Sequence, residues 1–316
     1  MSGYDVVRAN MPMPINATPK KSGPKKSGPE NFGPDLCDAP QAVTKRPKNT
    51  LPAGACDCHF HIFDAPSQQV AARSYTAARA SLADYKHLQH ILGIERSVIV
   101  QPSIYGSDNQ TTLSVCQSDP HMKAVIVVDE AISDASLRAY ADADVVGCRV
   151  NLLFSSGVDS GQLKEFAYRI ADYGWHLQIL ADISQFEALG SVIPDLPVPV
   201  MFDHMGHMPT SLGIAHPAFQ RFLSLLSAGQ LWVKLSGAYR ISGQTDCRYD
   251  DVAEYVSALV AANPDQLVWG TDWPHPKFAG PMPNDTDLLD QFFDWVPNSA
   301  HQQAIFVDNP ASFYRF

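Results

Sequence analysis

Eight short runs rich in β-branched and apolar residues recur along the chain: CDCHFH from residue 56, RSVIVQ from 96, KAVIVV from 123, VVGCRVN from 145, HLQILAD from 176, VPVMFDH from 198, LWVKLS from 231 and LVWGTD from 267. Each has the length of a buried strand and is too short for an ordinary helix. The segments between them carry a helical period. In SGQLKEFAYRIADYG the apolar Leu163, Phe166, Ala167 and Ile170 share one face and Gly174 supplies a stop; RYDDVAEYVSALVAAN places Val252, Tyr255, Val256 and Leu259 the same way. Strands alternating with helices predict a parallel sheet, and eight such units in about 260 residues predict an α/β fold, the (β/α)8 TIM barrel. The competing doubly wound sheet would carry a glycine-rich phosphate turn after its first strand, and this chain has none there.

The barrel pattern starts only after a segment of different composition. Residues 1–49 hold eight Lys/Arg and four Asp/Glu, net +4, which leaves −14 on the remainder. The repeat KKSGPKKSGP is too polar to build a core, so the expected organisation is a disordered, mobile basic arm over 1–49 and a barrel over 50–316. Four lysines in a Gly-Pro setting without interleaved aromatics are a poor nucleic-acid surface, and no nucleic-acid partner is expected. No apolar run reaches the length that spans a bilayer, and the N-terminus shows no signal-type pattern, so the expected address is the cytoplasm, with no membrane partner. The six cysteines show no CxxC spacing, and free thiols are expected. The sequence leaves monomer and homo-oligomer equally open.

In a barrel the chemistry sits at the C-terminal ends of the strands. That rule gathers the polar residues that end these runs: His59 and His61 on the first, Ser103 after the second, Arg149 and Asn151 on the fourth, Asp182 on the fifth, Asp203 and His204 on the sixth, Ser236 and Arg240 on or after the seventh, and Asp272 on the eighth. His59 and His61, two apart, point to the same side of a regular strand, and Asp57 would share that side and orient His59. A carboxylate facing several imidazoles suits ester hydrolysis, which needs a base for the attacking water and donors for the developing oxyanion.

DCHFHIF, DHMG and WGTDWPHP, in that order, resemble the amidohydrolase superfamily, and within it the branch of 2-pyrone-4,6-dicarboxylate lactonases. The likeness extends through VIVQPSIYGSDN, GWH and the closing DNPASFYRF, so it covers residues 50–316. The resemblance implies hydrolysis of a cyclic ester, with Asp272 as general base and His59, His61 and His204 around the reacting carbonyl. It implies Arg149 and Arg240 as holders of a substrate carboxylate, with Tyr75, Ser103, Tyr105, Asn109 and His207 lining the substrate end. The partner expected is therefore a small carboxylated lactone.

Departures from the branch narrow this. LLFSS, with Ser155 and Ser156, stands where the branch has a second arginine; Leu180 stands for a tyrosine, and His207 for an arginine. A monocarboxylated or sugar-acid lactone then fits better than a planar dicarboxylate. Superfamily members that hold one metal use a histidine on the fifth strand, whereas His176 here begins that run, at the far end of the barrel. No cofactor is favoured; the alternative is a single divalent ion such as zinc on His59, His61 and Asp272. A lactone isomerase of sugar acids and a metal-dependent decarboxylase are the competing activities. A binding protein on a barrel scaffold is the third, although it would have no need of a base.

Overall fold

The computed structural model describes residues 36–64, 69–129, 131–153, 163–185 and 187–316. The eight runs form strands β1 Cys56–Phe60, β2 Arg96–Val100, β3 Met122–Ile126, β4 Val145–Asn151, β5 His176–Leu180, β6 Val200–Phe202, β7 Trp232–Leu235 and β8 Leu267–Trp269. They lie in the order β1 to β8, every neighbouring pair parallel. The loop after β8 bridges the seam to β1: Asp272 N–H donates to the His59 carbonyl and His61 N–H to the Trp273 carbonyl, both at 2.8 Å. The result is a nearly closed (β/α)8 barrel, as the alternation of runs predicts. Among the described residues no helix is long and apolar enough to cross a membrane, and all six cysteines are free thiols.

The pleat sorts side chains into two cores. Val98, Val100, Val125, Val146, Met201 and Val268 form one cluster with Cys56 and Cys58, while the alternate residues Ile99, Ala124, Ile126, Leu177, Ile179 and Phe202 join the larger core under the helices. That larger core takes in Leu163, Phe166, Ala167 and Ile170 from the helix Leu163–Ala171 and Tyr255, Val256 and Leu259 from the helix Ala253–Ala262.

Two expectations change. A register shift between Asp57 and Phe60 breaks the period of β1. Cys58 and His59 consequently both face the barrel interior, and Asp57 turns the other way. It accepts hydrogen bonds from Tyr85 Oη, Thr271 Oγ1 and the backbone N–H groups of His59 and Thr271. Asp57 thus ties β1 to β8 and does not touch the His59 ring. Its burial raises its pKa to about 6. The second change concerns the end of the expected arm, whose residues 1–35 lie outside the described residues. Residues 36–49 run against the barrel: Val43 is buried, Lys45 pairs with Asp287 at 2.5 Å, and the backbone N–H groups of Lys48 and Asn49 donate to Asp290 at 2.8 and 3.0 Å. The acidic face of the helix Asp285–Trp295 thus holds the basic end of this segment.

His176, at the foot of β5, is buried with Nδ1 2.9 Å from the Val146 carbonyl, and burial lowers its pKa to about 3. The unfolded chain therefore takes up this proton first. Stability is full above the ordinary histidine range near 6.5 and falls as pH drops toward about 3, at roughly 1.4 kcal/mol per pH unit for one proton. His176→Phe should make the acid side of a stability-pH curve shallower by about one proton, read by denaturant unfolding between pH 4 and 6.5. An unchanged slope would mean that His176 is charged in the folded protein.

Candidate active site

The mouth of the barrel at the C-terminal strand ends holds a pocket of about 350 Å³, lined by His61, Tyr75, Ser103, Arg149, Asn151, Leu180, His204, His207, Arg240, Asp272, Pro276 and Lys277. Close backbone approach builds it. A Cβ on Gly270 would stand 2.8 Å from the His59 Cβ, and one on Gly237 would stand 2.9 Å from His204 Nδ1. His204, His207 and Asp272 themselves have φ of 50°, 55° and 61°. Left-handed backbone in non-glycine residues costs about 1–3 kcal/mol each and gathers where geometry is held for a purpose.

Asp272 is the centre of the cluster and is fully buried. Its Oδ2 accepts from Arg240 Nε at 2.5 Å and from the Tyr239 hydroxyl. Among the described residues its Oδ1 accepts no hydrogen bond, and the Nε2 atoms of His59, His61 and His204 stand 3.7, 3.7 and 3.8 Å from it. Burial opposes ionisation of this carboxyl, but the Arg240 guanidinium and the imidazoles outweigh it and hold the pKa well below the usual range.

The ring partners dictate the tautomers. His61 Nδ1 lies 2.7 Å from the Val100 carbonyl, which only accepts, so Nδ1 carries the proton and Nε2 a lone pair. His59 Nδ1 stands between the Lys234 ammonium at 3.4 Å, which only donates, and Asp203 Oδ1 at 3.2 Å, while its Nε2 lies 3.2 Å from the lone pair on His61 Nε2, so the proton of neutral His59 belongs on Nε2. His204 Nδ1 meets Ser236 Oγ at 2.9 Å. That hydroxyl can donate, which leaves His204 free to carry its proton on Nε2. Burial lowers the pKa of all three, His59 to about 4 and the others well below the ordinary value, so they are neutral at pH 7.

Beneath the histidines lies a buried polar network that joins Arg149 and Asp203 to Lys234 and Gln178, the last two of which the sequence motifs did not assign to the site. Asp203 Oδ2 takes Arg149 Nε and Nη2, both at 3.1 Å, and Gln178 Nε2 at 3.2 Å. Lys234 is fully buried; its ammonium donates to the Cys58 carbonyl at 2.8 Å and Gln178 Oε1 at 2.7 Å, and stands 3.6 Å from Asp203 Oδ1. Burial lowers the Lys234 pKa; it opposes ionisation of Asp203 as well, but His59, Lys234 and Arg149 bring that carboxyl well below its ordinary value. The signal was available in the sequence, as a lysine and a glutamine in the middle of otherwise apolar strand runs.

The expected site residues divide. His59, His61, His204 and Asp272 converge, and Arg149, Arg240, Tyr75, Ser103 and His207 are at the pocket or its wall. Arg149 and Arg240 are each paired with a carboxylate of this chain, so neither presents its whole fork to a substrate. Tyr105 and Asn109 lie outside the wall. The Tyr105 hydroxyl donates to the Asp64 carbonyl, and the Asn109 side chain bonds the backbone of Val127 in both directions. Both are loop braces. Ser155 and Ser156 lie outside the described residues. Lys277, at the pocket wall, was not anticipated.

The same donor atoms have the spacing of a metal site. His59, His204 and Asp272 offer ligand atoms within 4.8 Å of one another, and His59 and His61 Nε2 are 3.2 Å apart. Ligands at about 2.0–2.2 Å from a tetrahedral zinc lie roughly 3.4 Å from each other, so the spacing fits.

The model of the Amidohydrolase family matches residues 56–316. The chain is 35% identical over 283 residues to the 2-pyrone-4,6-dicarboxylate hydrolase of Comamonas testosteroni, covering 85% of this chain and 92% of that protein. It is 33% identical over 286 residues to the 4-sulfomuconolactone hydrolase of Rhizobium radiobacter, covering 88% and 95%. A crystal structure from Agrobacterium tumefaciens, without ligand, superposes with a TM-score of 0.79 at 25% identity, over 85% of this chain and 98% of the other.

Proposed function

Since the chain belongs to the amidohydrolase family, we propose that it is a lactone hydrolase that opens an anionic cyclic ester with water activated by Asp272. The observation that carries this reading is Asp272 Oδ1, a carboxylate oxygen with no hydrogen-bond partner among the described residues, enclosed by three imidazole nitrogens at the floor of the pocket.

The residues divide the work by their protons. The Nε2 lone pair of His61 accepts hydrogen bonds, so that ring can hold a water and not an oxyanion. Asp272 Oδ1 takes the proton of that water as it attacks the lactone carbonyl. His204 can donate from Nε2 toward the developing oxyanion, with the Ser236 hydroxyl donating a hydrogen bond to its Nδ1, whereas the Nε2–H of His59 is engaged by His61. Opening the ring releases the lactone oxygen, which takes the proton that Asp272 removed from the water, and the new acid ionises to a carboxylate.

Charge sets the substrate class. Arg149, Arg240 and Lys234 against Asp203 and Asp272 leave one positive charge around the pocket. An anionic substituent on the lactone meets this surplus. The relatives act on lactones bearing carboxylate or sulfonate, as their names say.

His59, His61, His204 and Asp272 are the residues that would hold a divalent ion. Bound there, it would supply a Lewis acid and lower the pKa of water. The surplus positive charge opposes a dication at this place, and the hydrolysis above runs on the chain's own groups. The test is a panel of carboxylated, sulfonated and neutral lactones, each assayed for ring opening with and without chelator. Anionic lactones should turn over and neutral ones lag in kcat/KM, with rates within about twofold on chelation. A loss on chelation that zinc restores would place the ion in the mechanism, and no turnover of any lactone would refute the reading.

A further inference from the structure

Behind Asp272 the structure carries a linear chain of buried groups that the reaction above does not use. The Tyr239 hydroxyl donates to Asp272 Oδ2; His275 Nδ1 lies 3.0 Å from that hydroxyl; His275 Nε2 lies 3.2 Å from Asp285 Oδ1. Tyr239, His275 and Asp285 are all buried. Asp285 begins the helix Asp285–Trp295 and faces a cavity walled by Met205, Leu235, Trp269, Leu288 and Phe292. Among the described residues neither oxygen of Asp285 has a hydrogen-bond partner, and His275 Nε2 has none either. A carboxylate in such surroundings is costly unless something pairs with it, and the imidazole is the group in reach.

Proton counting orders the chain. Tyr239 has one hydrogen, and it goes to Asp272. His275 Nδ1 must then be the donor to the tyrosine oxygen. Its Nε2 would face Asp285 lone pair to lone pair unless a proton stands between them. A proton beyond the tautomeric one, shared between Asp285 and Nε2, therefore lets His275 keep Nδ1–H on Tyr239.

We propose that Asp285 and His275 are positioning residues for the reaction, acting through the Tyr239 hydroxyl to hold Asp272 Oδ2 engaged so that Oδ1 alone is presented to the reacting centre. The inference rests on the assignment of Asp272 as the base. Arg240 fills one lone pair of Oδ2 and Tyr239 the other; with Tyr239 turned toward His275 instead, the carboxylate can rotate and offer either oxygen. Positioning of this kind is lost without loss of binding, so it appears in kcat.

Two measurements test it. In protein labelled with ¹⁵N-histidine, the His275 resonances, identified by their absence in His275→Gln, should show Nδ1 protonated at neutral pH. A lone pair on Nδ1 would overturn the proposal whether or not any lactone is turned over. In the second, Asp285→Leu should lower kcat about 10- to 100-fold with KM within about twofold, the usual cost of losing an orienting partner. Asp285→Asn should recover most of this, because its amide can donate to Nε2 and keep Nδ1–H on Tyr239. In a Tyr239→Phe background Asp285→Leu should have no further effect on kcat. Multiplying effects in that background, or wild-type kcat in Asp285→Leu, would show a purely structural carboxylate and overturn the proposal. Wild-type protein that opens no lactone yet has Nδ1 protonated would refute the substrate reading while the chain stands.

Discussion

Asp272→Asn is expected to fold as the wild type does and to lose ring opening by about three powers of ten or more in kcat, because the amide cannot take the proton of the attacking water. The substitution keeps the shape of the side chain and an oxygen for Arg240 and Tyr239. Burial and left-handed backbone at residue 272 remain as they are, so thermal unfolding should move by no more than a few degrees. Turnover close to wild type would remove Asp272 from the chemistry. The pH profile is a second reading of the same residue. The Asp272 carboxyl sits well below the ordinary range, held there by Arg240 and the imidazoles against its burial. Its ionised form therefore persists through mildly acidic pH, and an acid limb near neutrality would have to come from another group.

The largest expected effect on stability belongs to Asp203. It is the counterion of the fully buried Lys234, it holds Arg149, and it stands beside the ring of His59. Asp203→Leu would leave two cations in the barrel without a carboxylate, at a cost of about 3–5 kcal/mol, the range measured when one partner of a buried ion pair is removed. For a chain of this size that is roughly a 10 °C fall in Tm. Combining Asp203→Leu with Lys234→Met should restore part of the loss, because the second change removes the stranded ammonium. Denaturant unfolding of the two variants checks this. Additive losses would mean that the pair is not coupled.

The barrel was legible because its strands are short apolar runs with few interruptions, and all eight coincide with strands. The helix faces around Phe166 and Tyr255 were legible for the same reason. The site was legible through one rule, that barrel chemistry sits at the C-terminal strand ends, and His59, His61, His204 and Asp272 obey it. What escaped depends on contacts that no local pattern encodes. A single-residue irregularity in β1 turned Asp57 away from His59, and a period-two reading has no way to place such a bulge. Asp203, Lys234 and Gln178 meet across the barrel interior from three strands. Alternation tells which of them point inward but not which of them touch. Tyr105 and Asn109 are loop residues whose polar ends serve backbone groups at hand, and their spacing looked the same as that of binding residues. The basic stretch before residue 50 reads as a solvated arm by composition, and its last part instead meets the acidic face of the helix Asp285–Trp295.

The central claim is that Asp272 directs a water onto the carbonyl of an anionic lactone. Single-turnover ring opening in ¹⁸O-water tests it most directly, with the product analysed by mass spectrometry. The claim predicts one ¹⁸O atom per product molecule, in the newly formed carboxylate, and no labelled product above background with Asp272→Asn. Product without label, as transfer to a hydroxyl of the substrate itself would give, or label appearing equally in the Asp272→Asn protein, would contradict it.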